Sequence, residues 1–473
     1  MGLILRRRPL STHKMGLEFC EGLERAMTNL PQDPAAVQMV RRFVAPIRAV
    51  FRTRARGGLI LVLSAVAALI WANSAAGQVY VHLLHTPIEI AVGTHRLSLH
   101  LSHWINDGLM AIFFFVVGLE IKREVLSGEL SSIQQAALPI AGAIGGVVVP
   151  AGLFALINHS GPSASGWGIP MATDIAFALG VLALLGARVP LWMLVFLTAL
   201  AIVDDLLSVA VIASFYTPEI HTDPLWLALA AWAVVLGMNW RDVRSATLYL
   251  LCGCVMWAAM HESGVHATIA GVLMGLSVPA SPRMHRRRFI DDVQSGLAPF
   301  IRLGQGAQVE TKVLDGALHK IHHATDAIEP PSHRLEHALH GPVAYLILPI
   351  FALANAGVQV SAEQAVEAMA TPCAIGVAAG LLVGKPLGIV SACWIATRLG
   401  LAQLPAGARW GQVWGLGLLG GIGFTMSLFV TGLAFDAPAQ AVPAKIGILV
   451  GSVVAAVLGL LALHRTLPAR SDP

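Results

Sequence analysis

The fold is decided by the stretch Leu191-Trp-Met-Leu-Val-Phe-Leu-Thr-Ala-Leu-Ala-Ile-Val-Asp-Asp-Leu-Leu-Ser-Val-Ala-Val-Ile-Ala213. It is long enough to cross a bilayer, because a transmembrane helix needs about 20 apolar residues. Asp204 and Asp205 stand near its middle, where even one aspartate costs about 2.5–3.5 kcal/mol. Successive helical residues point about 100° apart, so the two side chains face different partners. A structural ion pair explains one such aspartate better than two, so the stretch predicts an ion or proton pathway.

The composition indicates an all-α polytopic membrane protein. Of the 473 residues, 56% are hydrophobic and 12% are charged, and the mean hydropathy is +0.70. Soluble domains carry about 25% charged residues. The basic residues fall in short loops, where they set membrane topology, so the positive net charge predicts a lipid bilayer and no nucleic acid as partner. Cys252 and Cys254 would face apart on a helix, which argues against a metal site or disulfide there.

Apolar segments divide the chain into a polar extension (1–56), a transmembrane domain (57–465) and a short tail (466–473). For the Arg-rich extension we expect disorder rather than a short amphipathic helix near residues 35–50. Twelve apolar spans are predicted, and two of them are short for a full crossing. They cover residues 58–76, 104–127, 136–158, 168–187, 190–215, 223–239, 246–260, 265–279, 341–358, 373–397, 410–433 and 443–464.

The loops give an independent prediction of topology. Lys or Arg residues follow the even-numbered spans, whereas the loops after odd-numbered spans carry almost none, Arg96 being the exception. Basic loops stay in the cytoplasm. The alternation therefore predicts twelve crossings with both termini in the cytoplasm. The basic residues at or beyond the ends of even-numbered spans include Lys122, Arg123, Arg188, Arg241, Arg244, Arg283, Arg286, Arg287, Arg288, Arg398, Arg409, Arg465 and Arg470.

A β-hairpin is predicted between spans one and two. Apolar residues alternate along Ile88-Glu-Ile-Ala-Val-Gly-Thr-His-Arg-Leu-Ser-Leu-His-Leu101, on both sides of a Val-Gly-Thr-His turn. An isolated hairpin is marginally stable in water. Its open edges could pair with a second copy of the chain, so residues 88–101 are a candidate dimer contact.

One large hydrophilic insert, at about 283–335, interrupts the apolar spans. Val313, Ala317 and Ile321 recur at helical spacing and predict an amphipathic helix in the cytoplasm or on the membrane surface. The segment is either a regulatory domain or a plain loop, and the residues favour the loop.

Two spans carry signs of interruption. Span four contains Pro170 and the polar pair Thr173-Asp174, and span eleven contains the glycine-rich run 415–425. Glycines alone can equally mark close helix packing. Spans three to five and ten to twelve, however, form two triplets of opposite orientation, each with an interrupted middle member. This pattern predicts inverted-topology repeats whose two broken helices cross at the bilayer midplane.

Lys385 supplies a counter-charge in span ten. It lies about 12 residues from the outer end, or roughly 18 Å at a rise of about 1.5 Å per residue. Asp204 lies about 14 residues, roughly 21 Å, from the inner end of its own span. Both therefore fall near the middle of the membrane. A lysine there needs a carboxylate partner or must lose its proton.

A second group of charged residues stands at the inner ends of spans two and nine. Glu120, Arg123, Glu336 and His337 could form a cluster at the inner mouth, where histidine would titrate near neutral pH. Taken by themselves, these residues are better explained as a charged helix end at the membrane surface. His266 opens span eight.

Seven motifs together resemble the bacterial NhaA-type sodium/proton antiporters, in order and across residues 57–465. They are Val117-Gly-Leu-Glu-Ile-Lys-Arg-Glu124, Ala172-Thr-Asp-Ile-Ala-Phe-Ala-Leu-Gly180, Ala199-Leu-Ala-Ile-Val-Asp-Asp-Leu206, Val265-His-Ala-Thr268, Arg334-Leu-Glu-His337, Val383-Gly-Lys-Pro-Leu-Gly-Ile389 and Gly421-Ile-Gly-Phe-Thr-Met-Ser-Leu428. The N-terminal extension and the insert depart from the short members of that family.

The resemblance implies a cofactor-free secondary transporter of the bacterial inner membrane, which exchanges sodium or lithium for protons and is active mainly at alkaline pH. By motif position, Asp205 resembles the principal cation-binding carboxylate, Asp204 the partner of Lys385, and Thr173-Asp174 the lining of the span-four break. The hairpin resembles the family's periplasmic dimer contact. The positions that resemble its pH-response residues are Glu120, Arg123, Glu124, His266, Glu336 and His337.

Two other classes of function remain as alternatives. A sodium-coupled symporter of an organic solute shares the broken-helix architecture, but it would need a larger polar or aromatic pocket beside the ion site. An intramembrane hydrolytic enzyme would need two aspartates that converge on one water molecule, and adjacent residues of one helix cannot converge in that way.

Overall fold

A computed structural model describes residues 57–92, 95–217, 220–281, 286–304 and 310–467. The N-terminal extension, including the helix or disorder considered near residues 35–50, lies outside the described residues, and so do the turn of the predicted hairpin and the tail from residue 468. Most of the described chain is helical, and its β-structure consists of one two-stranded sheet.

The elements follow one another in this order: α1 (Gly57–Ala72), α2 (Gly77–Leu84), β1 (Pro87–Val92), β2 (His95–His100), α3 (Leu101–Ser127), α4 (Ile133–Ile157), α5 (Ile175–Ala183), α6 (Leu191–Phe215), α7 (Thr222–Trp240), α8 (Ala246–Glu262), α9 (Thr268–Ser277), α10 (Arg286–Gly304), α11 (Thr311–Ile328), α12 (Pro331–Asn355), α13 (Ala362–Met369), α14 (Pro372–Arg398), α15 (Trp410–Gly420), α16 (Phe424–Ala434) and α17 (Pro438–Thr466).

Seven helices of the described chain are long and apolar enough to cross a membrane, or nine if each of two bent pairs counts as one span. The bent pairs are α1 with α2 and α15 with α16. Helices occupy all twelve apolar stretches of the sequence. Three of these helices, α7, α8 and α9, are not among those long and apolar enough to cross a membrane. Of these, α8 has 17 residues and α9 has 10, so both are short for a bilayer. The protein is a polytopic helical membrane protein.

The predicted hairpin is present. β1 and β2 pair antiparallel, from Pro87 opposite His100 to Val92 opposite His95. Arg96 and Glu89, on opposite strands, form an exposed ion pair of 3.4 Å, which is worth little in water. Within the described chain the sheet has two strands, so each strand keeps one unpaired edge.

The insert contains two helices, α10 and α11, which pack against each other. The sequence predicted α11 and missed α10. On α11, Ala317 and Ala324 are buried and Ile321 is half-buried, whereas Val313 of the predicted stripe is exposed. His323 of α11 lines a cavity together with Arg244 and Arg334. The insert therefore contacts the helical body of the protein.

Close packing of α4 against α14 holds the centre of the molecule. A methyl group added at Gly145 would overlap the carbonyl oxygen of Gly388, and one added at Gly388 would overlap that of Gly145. Glycine at both positions therefore lets the two backbones approach, as small residues do between membrane helices. This contact fixes the position of Lys385 along α14 relative to α4. The Cε atom of Lys385 would lie 3.6 Å from a methyl group added at Gly146.

Candidate ion site between two broken helices

The first broken helix is interrupted just before Asp174. A 3-10 segment, Ala164–Met171, ends in extended backbone at Ala172, and α5 begins after Asp174. Asp174 caps α5, because one of its carboxylate oxygens accepts a hydrogen bond of 2.9 Å from the N–H of Phe177. The break thus places a carboxylate and a helix N-terminus inside the protein, where Asp174 is buried.

The second broken helix is interrupted between Gly420 and Phe424. α15 and α16 meet there at a bend of 46°. The bend exposes the carbonyl groups that end α15 and the N–H groups that begin α16, which are the negative and positive ends of two helix dipoles. The glycine-rich run that suggested an interruption in the sequence is the segment that forms it.

The two breaks are joined by hydrogen bonds. The N–H of Asp174 donates to the carbonyl of Ile422 at 2.7 Å, and the hydroxyl of Thr173 donates to that of Gly420 at 2.8 Å. In return, the hydroxyl and N–H of Thr425 both donate to the second carboxylate oxygen of Asp174. Asp174 therefore stands at the N-termini of α5 and α16 at once, where a negative charge is favourable.

Lys385 and Asp204 form a fully buried ion pair. The lysine nitrogen lies 2.8 Å and 3.0 Å from the two carboxylate oxygens of Asp204, and both side chains are 0% exposed. The same nitrogen donates to the carbonyl of Met171, at the first break. Lys385 thus connects α14, α6 and the broken helix. The pair leaves the buried charges compensated, as charges inside a membrane must be.

Asp205 is placed differently from Asp204. It is also 0% exposed, but neither of its carboxylate oxygens has a hydrogen-bond partner. The charges that act on it most strongly are those of Asp204, Glu120, Asp174 and Lys385. An unpaired carboxylate beside mainly negative groups is an unfavourable arrangement unless a cation or a proton joins it. The site can therefore bind either of them.

The inner-mouth residues come together in part. Arg123 of α3 pairs with Glu336 of α12 and, at 2.9 Å, with Glu124. Glu120 acts electrostatically on both Arg123 and Asp205. His337 is exposed and stacks edge-on against His333, at 4.6 Å between ring centres.

His266 lies apart from the inner-mouth cluster. Its ring nitrogen is 2.7 Å from the carbonyl of Tyr216, which follows the C-terminal end of α6. Lys122, beside Arg123, donates instead to the carbonyl oxygens of Leu276 and Val278 at the opposite end of α9. The ten residues of α9 (Thr268–Ser277), about 15 Å of helix, separate the two locations.

Two residues at the site carried a signal that sequence reasoning did not use. Thr425 ends the glycine-rich run 415–425 and is the hydrogen-bond partner of Asp174. Ser208 lies in the stretch that decides the fold and is fully buried, with a hydroxyl oxygen that has no partner. Its spacing of three from Asp205 and four from Asp204 places it on their side of the helix, which the sequence alone shows.

Known proteins are similar to this chain over almost its whole length. Residues 48–463 match the family model described as Na+/H+ antiporter 1. A protein of Oleidesulfovibrio alaskensis named Na(+)/H(+) antiporter NhaA is 49% identical over 441 residues, covering 92% of this chain and 97% of its own length. A protein of Sulfurimonas denitrificans with the same name is 44% identical over 428 residues, covering 89% and 96%. One of Syntrophotalea carbinolica, named Na(+)/H(+) antiporter NhaA 2, is 46% identical over 422 residues, covering 89% and 96%.

Proposed function

The chain belongs to the Na+/H+ antiporter 1 family, and we propose that it exchanges cytoplasmic sodium or lithium for external protons. It is a transporter, not an enzyme. The observation that carries the proposal is the Asp205 carboxylate, which is buried without a partner beside the Asp204–Lys385 pair. Sodium and a proton would compete for its oxygens, so that binding one expels the other.

The surrounding residues have distinct roles in this proposal. Asp204 and Lys385 fix the height of the site and keep its charge balanced when the cation leaves. Thr173 and Asp174 tie the first break to the second, so the two broken helices move together. Their dipole ends moderate the change in charge, and the crossing provides a pivot for alternating access. The transported ions are the substrates, and the mechanism uses no other cofactor.

The proposed topology has twelve crossings of the bacterial inner membrane, with residues 1–56 and 466–473 and the insert in the cytoplasm. It is supported by helices in all twelve apolar stretches and by the alternation of basic loops. Spans three to five and ten to twelve would be inverted repeats, each with a broken middle member. Single cysteines at positions 98 and 288, in a cysteine-free background, should label from opposite sides, and labelling from one side would refute this topology.

An exchange assay tests the function. Everted vesicles that contain the protein are acidified by respiration, and recovery of a quenched pH dye is recorded after each salt is added. We expect sodium and lithium to collapse the pH gradient and potassium to leave it, because the proposed exchange is specific for sodium or lithium. Vesicles without the protein are the control. A gradient that no cation collapses at any pH between about 6.5 and 9, around and above the ordinary histidine pKa, would contradict the proposal.

The hairpin is proposed to join two copies of the chain through its unpaired strand edges. Deletion of residues 88–101 should convert dimers seen by native electrophoresis into monomers, while exchange in vesicles continues. Arg96→Ala is a matched control, because it breaks the exposed pair with Glu89 but keeps both strands. A deletion variant that stays dimeric would show that the contact lies elsewhere.

The inner-mouth cluster is proposed to control the response to pH, because Glu120 links it electrostatically to Asp205. Glu336→Gln removes the partner of Arg123 across two helices. It should displace the pH at which exchange is half-maximal and leave the maximal rate near that of the unchanged protein. Glu89→Gln is the control, since Glu89 pairs with Arg96 in the hairpin and not with the inner-mouth cluster. A change in protein abundance alone would mean that the pair is structural.

A further inference from the structure

We infer that the hydroxyl oxygen of Ser208 is a ligand of the transported cation, together with the carboxylate of Asp205. The inference rests on the proposed exchange function and adds a residue to its binding site. It starts from the buried polar atoms that lack a partner. In the part of the chain that the structure describes there are four, and three of them are the two carboxylate oxygens of Asp205 and the hydroxyl oxygen of Ser208. The fourth is the hydroxyl of Tyr249.

The spacing of Asp205 and Ser208 on α6 makes their side chains neighbours on the surface of the helix. Residues three apart on a helix are neighbours on its surface, with Cβ atoms about 5–6 Å apart. Side chains also lean toward the N-terminus of the helix, so that of Ser208 leans back toward Asp205. Both residues are 0% exposed, so bulk water does not form hydrogen bonds with their oxygens. The structure therefore holds three desolvated oxygens on one side of a single helix.

The free hydroxyl of Ser208 is unusual for its setting. Ser and Thr side chains in helices commonly donate to the carbonyl four residues earlier. Ser214 on the same helix does so, at 2.8 Å from the carbonyl of Ala210, and Thr431 in α16 donates to Ser427 at 2.8 Å. Ser208 has no such bond. Its hydroxyl is thus available to a ligand, and leaving it unsatisfied in every state would be costly.

The chemistry of the hydroxyl suits both states of the proposed exchange. Hard cations bind oxygen ligands, and a hydroxyl adds one such ligand without adding charge beside Asp204, Asp174 and Glu120. When Asp205 is protonated instead, its O–H can donate to the same oxygen, because a hydroxyl both donates and accepts. Ser208 would therefore partner the cargo in one state and the protonated carboxyl in the other. It is a ligand that helps to set cation affinity.

The test is the dependence of exchange on sodium concentration. Ser208→Ala removes the oxygen and should raise the apparent KM for sodium about tenfold, the size expected for one lost polar contact, with a smaller effect on the maximal rate. Ser208→Cys has a similar size but replaces the oxygen by sulfur, which is a poor ligand for a hard cation, so it should raise KM as well. Ser214→Ala, which removes a bonded hydroxyl from the same helix, should leave KM unchanged. Sodium binding to the purified variants, measured by calorimetry, should show the same order.

The outcomes separate this inference from the proposed function. If Ser208→Ala and Ser208→Cys both keep the KM of the unchanged protein while Asp205→Asn is inactive, the hydroxyl is not a ligand and the exchange mechanism stands. If Ser208→Ala does not accumulate in the membrane, Ser208→Cys alone decides. If Asp205→Asn exchanges normally, Asp205 is not the cation site, and the ligand inference fails while exchange itself stands. If the unchanged protein exchanges no cation, the proposed function fails.

Discussion

Asp205→Asn should abolish sodium-dependent proton movement in everted vesicles at every pH at which the unchanged protein is active. The substitution keeps the size of the side chain and removes the group for which sodium and protons compete. Both carboxylate oxygens are buried without a partner, so the amide loses no existing contact of the fold. The variant should therefore accumulate in the membrane and fail only in transport and in sodium binding.

Two further variants make this result specific. Asp205→Glu keeps a titrating carboxylate on a longer side chain and should retain partial exchange with a weaker affinity for sodium. Asp223→Asn removes an exposed carboxylate at the start of α7 and should exchange like the unchanged protein. Exchange by Asp205→Asn at nearly the unchanged rate would show that carboxylate competition is the wrong mechanism for this protein.

Competition between sodium and protons at Asp205 also predicts how the apparent KM for sodium depends on pH. Lowering the pH raises the fraction of Asp205 that carries a proton, so the apparent KM for sodium should rise as the pH falls. With one proton displacing one ion, the rise approaches about tenfold per pH unit in the range where the proton dominates. The measurement is the sodium dependence of dye recovery at several pH values. A KM that does not change with pH would separate the proton site from the cation site.

Local sequence patterns were enough to predict a polytopic helical membrane protein. Hydropathy locates each membrane helix because every such helix must be apolar over its own length. Pro170 and the glycines near Gly421 marked the two interruptions, because each disturbs the helix in which it stands. The heights of Lys385 and Asp204 could likewise be counted from their own helix ends, and the structure shows the two side chains in contact.

What could not be predicted depends on contacts between distant segments. The bond from Asp174 to Ile422 joins residues that no local pattern relates. The bond between the ring of His266 and the carbonyl of Tyr216 likewise joins separate segments of the chain. The helix α10 was missed because the run of arginines at its start favours a loop, and its packing on α11 becomes visible only in three dimensions. The spacing of Ser208 from the two aspartates is visible in the sequence, but only the fold shows that its hydroxyl lacks a hydrogen-bond partner.

Asp204→Asn should destabilise the protein strongly and also impair exchange. The two carboxylate oxygens of Asp204 lie 3.0 Å and 2.8 Å from the nitrogen of Lys385, and both residues are fully buried. Removing one partner of a buried pair typically costs about 3–5 kcal/mol, because the remaining charge keeps its desolvation penalty. Lys385→Met should be comparably destabilising, and it also removes the hydrogen bond to the carbonyl of Met171 at the first break.

The double variant Asp204→Asn with Lys385→Met gives the decisive comparison. Removal of both charges of a buried pair is often neutral or stabilising, so the double variant should melt at a higher temperature than either single variant while exchange stays lost or altered. Melting is measured at one scan rate on detergent-purified protein, since unfolding of such proteins is commonly irreversible. Asp242→Asn is the control: it breaks the more exposed pair with Arg244 at 2.7 Å, and its positive φ of 55° is one that asparagine tolerates. Its expected cost is about 0–1 kcal/mol. Single variants that melt like the unchanged protein would mean that Lys385 does not need the Asp204 charge, and the pair would then have no part in holding the site.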